Sequence, residues 1–181
     1  MAVIEQAVPA GVWNADPVHS SATFEVKHLG LSTFRAHFSD FEAVLSANDG
    51  EAGLVGQVKA ESISVSQPDF RAHLLSPEFF DAESHPEIRF ESKSILTDDG
   101  GGLVVQGALT INGHSEIVEA RGAVGEQGGD PYGGERVGLV LETVVDRRKF
   151  GIDWNADLPG GKQALANDVR LLVELELVKG E

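Results

Sequence analysis

Residues 69–80 read DFRAHLLSPEFF, and this is the part of the chain that does not follow the pattern of a β-strand. The apolar residues and the histidine of its first half lie near helical spacing, and Ser76-Pro77 is typical of a cap that begins a second short turn. The sequence therefore predicts a short helical insert near residues 69–80. Its aromatic surface is expected to cover an apolar opening, such as the mouth of a barrel.

Long runs on both sides of the insert alternate between apolar and polar residues, as half-buried strands do. The run from Ser20 to His28 is the first strong example. The next run carries apolar side chains at even positions from 34 to 38 and at odd positions from 41 to 45. A slip of one residue inside a run predicts a β-bulge, here near Ser39-Asp40.

The runs after the insert follow the same pattern. Asn112-Gly113 separates two of them and is a strong signal for a tight hairpin. The last run extends from Asp168 to Val178. Because about eight long antiparallel strands would otherwise expose unpaired edges, we expect an all-β chain that closes into an eight-stranded, lipocalin-like β-barrel. Residues 1–12 are expected to form a loose arm, and residues 13–181 a single barrel domain.

Composition excludes several classes of function. The formal net charge is -15, from 29 acidic and 14 basic side chains, and it repels nucleic acids and anionic membrane surfaces. The chain has no cysteine, which excludes disulfides and thiolate metal sites. Its N-terminus has no basic segment followed by an apolar run, and no later stretch reaches the ~20 apolar residues of a membrane span. We therefore predict a cytoplasmic protein without a transmembrane segment.

Polar clusters in the sequence do not predict catalysis or a metal. The six histidines are scattered, so no metal site is expected. Asp16 and His19 lie next to two serines, but no nucleophile-elbow motif accompanies them and no catalytic residue is predicted. Residues 147–149 read RRK and are expected to form a solvated turn. The alternative for this turn is that it attracts an anionic head group at one end of the barrel.

Several short motifs occur together in a fixed order, and this ordered set resembles the YceI-like, or polyisoprenoid-binding, family. They cover roughly residues 13–178 and are Trp13 with Asp16-Pro17-x-His19-Ser20, Phe24-x-Val26-Lys27-His28-Leu29-Gly30, Phe34-x-x-x-Phe38, Arg71-x-His73-Leu74-x-Ser76-x-x-Phe79-Phe80 with His85-Pro86, Phe90-x-Ser92, Gly107-x-Leu109-Thr110-Ile111 and Phe150-Gly151. Ala72 differs from the family, which usually has Asp after the arginine.

The resemblance implies a protein that carries or stores a long isoprenoid lipid, either a polyprenyl phosphate or an isoprenoid quinone, in an apolar cavity and without chemistry. It further implies a homodimer and no cofactor besides the bound lipid. An arginine fork can clamp a phosphate, so Arg71, His73 and His28 are the expected head-group contacts. The expected ligand-binding residues are Phe24, His28, Phe34, Phe38, Arg71, His73, Leu74, Phe79, Phe80, Phe90 and Phe150.

Two alternatives remain at this point. The same cavity could serve an enzyme of isoprenoid or quinone metabolism, for which His28, His73 and Arg71 would be the only polar machinery. The barrel could instead be filled by its own side chains and act in a stress response or in protein interactions. The filled barrel predicts no internal cavity.

Overall fold

A computed structural model describes residues 7–181 of the chain. These residues form eleven strands, one α-helix and two single turns of 3-10 helix. The elements are β1 (Gly11–Ala15), β2 (Ser21–His28), β3 (Ser32–Phe38), β4 (Phe41–Asn48), β5 (Glu51–Lys59), a 3-10 turn (Ala60–Ser62), α1 (Pro68–Leu75), β6 (Glu87–Thr97), β7 (Leu103–Ile111), β8 (His114–Val124), β9 (Gly128–Gly129), β10 (Glu135–Asp146), a 3-10 turn (Arg147–Phe150) and β11 (Leu165–Lys179).

The strands close into an antiparallel barrel. Each of β4 to β7 pairs with the next strand along the chain, β8 pairs with β10, and β10 pairs with β11 over eleven registered positions from Arg136 to Asp146. The ring is completed by β11, which pairs with β1 at Leu177 to Lys179 and with β2 over the segment that precedes them. The prediction of an eight-stranded antiparallel barrel is confirmed, because β1 and β2 lie end to end in one strand position and β3 and β4 in another.

The interruption between β3 and β4 explains the phase slip in the sequence. Ser39 and Asp40 lie outside both strands, while Phe38 and Phe41 on either side of them are both buried. The predicted bulge near Ser39-Asp40 is thus a short break: β3 before it pairs with β2, and β4 after it pairs with β1 and β5. On its other edge β3 meets the segment that leads into the insert, through the bridge of Phe38 with Ile63.

The helical insert occupies the gap that this divergence leaves in the barrel wall. Helix α1 begins after Gln67, whose side chain accepts a hydrogen bond from the backbone N–H of Phe70, and Pro68 fills the first turn without losing a needed donor. After the helix ends, the backbone N–H of Phe80 donates to the carbonyl of Leu74 at 3.0 Å. This bond holds residues 76–80 in a turn against the barrel.

The interior divides into two apolar clusters, one at each end of the barrel. The first lies at the end that contains Trp13, and its largest fully buried side chains include Trp13, Leu45, Val105, Val137, Leu139 and Leu177. The predicted arm contributes to this cluster: residues 1–6 lie outside the described part of the chain, but Val8 is only 2% exposed. The indole N–H of Trp13 donates to the carbonyl of Pro9 at 2.9 Å.

The second cluster lies at the opposite end and combines strand residues with the insert. Its buried members include Phe24, Phe38, Ile63, Leu74, Phe79, Leu109, Val145 and Phe150. Most of its members line an open space inside the barrel. Within residues 7–181 no helix is long and apolar enough to cross a membrane.

Candidate ligand-binding cavity

A cavity of about 600 Å³ lies inside the half of the barrel that the insert covers. Strands β2 to β6 and the inward-facing side of β11 form most of its wall, and α1 with the segment after β10 closes its end. The wall is almost wholly apolar. This volume contradicts the alternative of a filled barrel, and it lies within the ~300–1,000 Å³ range of small-molecule sites.

Ten of the eleven expected ligand-binding residues line this cavity. They are Phe24, His28, Phe34, Phe38, His73, Leu74, Phe79, Phe80, Phe90 and Phe150. The exception is Arg71, which does not line the cavity because its guanidinium donates to the backbone carbonyl of Glu61. Arg71 thus ties α1 to the 3-10 turn that follows β5, and its expected role as a head-group clamp stays a prediction.

Aromatic rings build one side of the wall. Phe24 lies at the centre, with ring centroids of Phe34, Phe38 and Phe80 at 5.9, 5.9 and 6.0 Å. Phe34 also meets Phe70 of α1 edge to face, at 5.3 Å. These separations are typical of favourable aromatic pairs, so the rings join the barrel wall to the insert.

His73 is held at the edge of the cavity by three neighbours. Its Nε2 lies 2.7 Å from a carboxylate oxygen of Glu78, and its ring packs edge to face on Phe79 and Trp154 at centroid distances of 5.0 and 5.1 Å. His28 differs, because it is exposed at the end of β2. Of the two expected histidine contacts, His28 is exposed at the rim, whereas His73 is partly exposed and engaged by Glu78.

The opening of the cavity lies between the β2–β3 hairpin and α1. His28, Ser32 and Phe70 belong to these elements, and each both lines the cavity and is exposed to solvent. Leu31, at the tip of the same hairpin, is 84% exposed. A tail that enters here would pass Phe34 and Phe70 and then reach the centre of the barrel.

Arg147 corrects the expectation of a solvated turn at residues 147–149. It is 4% exposed and lines the cavity, because position 147 continues the inward phase of β10. Its guanidinium donates to the carbonyls of Ala166, Ile152 and Trp154 at 2.9, 2.8 and 2.7 Å. Burial lowers the pKa of this group, with the charge of nearby Asp153 opposing the effect. The alternation of β10 could have identified this position from sequence.

The sequence also did not identify Phe70, Ile111, Trp154 and Leu171 as parts of the wall. Ile111 and Leu171 follow the inward phase of their strands, so their burial was predictable but their exposure to a cavity was not. Trp154 lies in an irregular segment without periodicity, and the backbone of that segment is fixed by Arg147. No local pattern signals its position.

A second polar cluster lies near the filled end of the barrel. Asp16, His19 and Glu176 place one ligand atom each within 4.8 Å of the others, an arrangement that could hold a metal ion. However, Arg136 Nη1 contacts a carboxylate oxygen of both Asp16 and Glu176 at 2.8 Å, and its Nε contacts Asp130 at 2.9 Å. A guanidinium therefore already supplies the positive charge that these carboxylates face.

Comparison with known proteins agrees with this geometry. A profile of the YceI-like domain matches residues 13–177. The chain belongs to the YceI-like family. A UPF0312 protein of Vibrio parahaemolyticus is 31% identical over 160 residues, which cover 82% of this chain and 84% of that protein.

Two solved structures share the fold of this YceI-like chain. The YCEI protein of Campylobacter jejuni superposes with a TM-score of 0.72 at 24% identity, covering 86% of this chain and 90% of that one. A polyisoprenoid binding domain from Saccharophagus degradans, implicated in plant cell wall breakdown, gives a TM-score of 0.66 at 11% identity, covering 93% and 98%. At these identities the likeness shows the architecture of the barrel.

Proposed function

We propose that the protein binds a long isoprenoid lipid in this cavity and carries or stores it without chemical change. The observation that supports the proposal most directly is the almost wholly apolar wall around about 600 Å³ of space inside the barrel. The ligand is either a polyprenyl phosphate or an isoprenoid quinone, whose tail fills the cavity while its head group remains at the rim near His28.

Burial of the tail is sufficient to drive binding. Removing about 300 Å² of apolar surface from water gains roughly 7 kcal/mol before the costs of association and ordering. Few polar contacts are then needed for useful affinity. The branched, unsaturated chain of an isoprenoid can pack against the aromatic and β-branched side chains of the wall, because the chain and the wall both present flat or ridged apolar surfaces.

The polar groups of the cavity support a carrier over an enzyme of isoprenoid or quinone metabolism. His73 is engaged by Glu78, and Arg147 by three backbone carbonyls. Arg71 lies outside the wall. General acid–base catalysis needs a group within hydrogen-bond reach of the reacting atoms. Arg147 is bound to the backbone, His73 is paired with Glu78, and His28 lies at the exposed rim.

The family and its fold support the same assignment. The Saccharophagus degradans domain, which is described as polyisoprenoid binding, has the same architecture over 93% of this chain. A cytoplasmic location, a homodimer and the choice between phosphate and quinone remain predictions. No resident cofactor is proposed.

The proposal can be tested with two neighbouring leucines of β11. Leu171 lines the cavity, whereas Leu172 faces the other side of the strand. Leu171→Gln should weaken binding of a prenyl quinone about tenfold or more, because the amide would be buried against an apolar tail. Leu172→Gln should bind as the wild type does. Titration monitored by the fluorescence of Trp154 measures both; equal affinities for the two variants would contradict binding in the cavity.

A further inference from the structure

Phe90 lies at the floor of the cavity, together with Phe41 and Leu175 of the first cluster. Phe90 packs against both apolar clusters, as does Val58, so it marks the boundary between the filled and the hollow half of the barrel. Its ring extends across to β7, where Gly107 leaves room for it. A Cβ at position 107 would lie 2.5 Å from Phe90 Cζ. Glycine at this position therefore allows the phenyl ring to close the cavity from below.

The depth above this floor limits the length of the tail. A 150 Å³ apolar cavity accommodates benzene, so about 25 Å³ is needed for each buried carbon. The cavity of about 600 Å³ then holds roughly 24 carbons. An isoprene unit has five carbons, which corresponds to a tail of about five units.

We infer that the cavity measures chain length, that its optimum is a tail of four to five isoprene units, and that Phe90 sets this limit. The inference rests on the proposed function and makes it more specific. A shorter tail leaves part of the wall empty. The additional units of a longer tail extend through the opening between the β2–β3 hairpin and α1 into water, where they gain no burial.

Binding of a homologous series tests the inference. All-trans prenyl alcohols of about three to eight units share one head group, so differences in affinity report the tail alone. Each added unit should raise affinity by about tenfold or more up to about five units, since burial of one CH₂ already contributes ~0.8 kcal/mol. Beyond that length the affinity should level off to within about threefold. A continued rise through eight units would overturn the inference, whereas failure of every length to bind would instead overturn the proposed function.

Phe90→Ala identifies the residue that sets the limit. Removal of the phenyl ring opens space for about one further isoprene unit. The length at which affinity levels off should therefore shift upward by about one unit. Phe90→Leu, which disturbs the floor less, should give a smaller shift in the same direction if the alanine variant does not fold.

Phe70→Ala is the matched control, because Phe70 lines the cavity at its opening rather than at its floor. It should lower the affinity of every length without moving the length at which affinity levels off. An unchanged limit in folded Phe90 variants, or the same shift in Phe70→Ala, would contradict the assignment of Phe90.

Discussion

Two arginines of the chain have roles that are the reverse of what their local sequence indicates. Arg71 lies beside aromatic residues in the insert, yet it binds the backbone outside the cavity. Arg147 lies in a basic triplet, yet it is buried and lines the cavity. The difference arises because the in–out alternation of β10 continues past its last registered pair, at Asp146. The side chain of Arg147 therefore points into the barrel.

Arg147 should be the largest polar contribution to stability at this end of the barrel. Arg147→Met removes the donors to the carbonyls of Ile152, Trp154 and Ala166, and should reduce the free energy of unfolding by about 3 kcal/mol. Urea titration at neutral pH measures the loss. Arg148→Met is the matched control: its guanidinium is exposed and pairs with Asp146, so the unfolding midpoint of this variant should stay close to that of the wild type. Equal midpoints for the two variants would contradict a structural role for Arg147.

Strand positions were largely predictable from sequence, because a strand with one buried face must alternate. The slip between residues 38 and 41 correctly located the point where β3 ends and β4 begins. The helix was predictable from its spacing and its proline. What the pattern could not give is how far β3 separates from β5, since that gap depends on the packing of residues 60–86 against strands that are distant in sequence.

The connections at the filled end of the barrel are joined by Arg136. It contacts Asp16 in the β1–β2 connection, Asp130 in the β9–β10 loop and Glu176 in β11. Hydrogen bonds from His19 and, to a smaller extent, from Arg136 lower the pKa of Asp16. The backbone N–H of Gly134 and the side chain of Arg136 lower the pKa of Asp130. Hydrogen bonding to Asp16 raises the pKa of His19.

These shifts predict how stability depends on pH. A carboxyl group whose pKa is lowered by folding stabilises the fold at pH values above its ordinary pKa of about 4. This contribution is lost as the pH falls through the lowered pKa. The raised pKa of His19 stabilises the fold below about 6.5, and that contribution is lost as the pH rises through the raised value. Arg136→Met should therefore lower the unfolding midpoint clearly at pH 5–7 and much less near pH 2.

Thermal unfolding at several pH values measures this dependence. Lys93→Met serves as the control, because Lys93 is exposed and pairs with the exposed Glu91 at 3.5 Å. Its difference from the wild type should be small at every pH. A difference for Arg136→Met that is as large near pH 2 as at neutral pH would contradict the role given to the carboxylates.

The two ends of the barrel interior differ. The end that contains Trp13 holds a buried apolar cluster, whereas the end that contains Phe24 holds a cavity of about 600 Å³. A closed barrel permits this difference, because its strands have no edges that need covering and the ladder holds the wall without a filled centre. The position of Phe90 between the two halves then determines how much volume is available for a ligand.

The barrel was predictable from sequence, and ten of the eleven residues predicted to bind the ligand line the cavity. These residues have an inward strand phase or lie in the insert, and they belong to family motifs. The sequence could not predict the size of the cavity. Volume is a small difference between the space inside the ring and the side chains that fill it, and this difference depends on contacts such as that of Phe90 with Gly107 across two strands.

Mass spectrometry of an organic extract of the purified protein, together with native mass spectrometry of the intact particle, tests the central claim most directly. The account predicts a prenyl compound in roughly equal amount to the protein, recovered chemically unchanged after incubation. A particle that carries no prenyl compound and also takes up neither added quinone nor polyprenyl phosphate would contradict the proposal that this cavity binds an isoprenoid lipid.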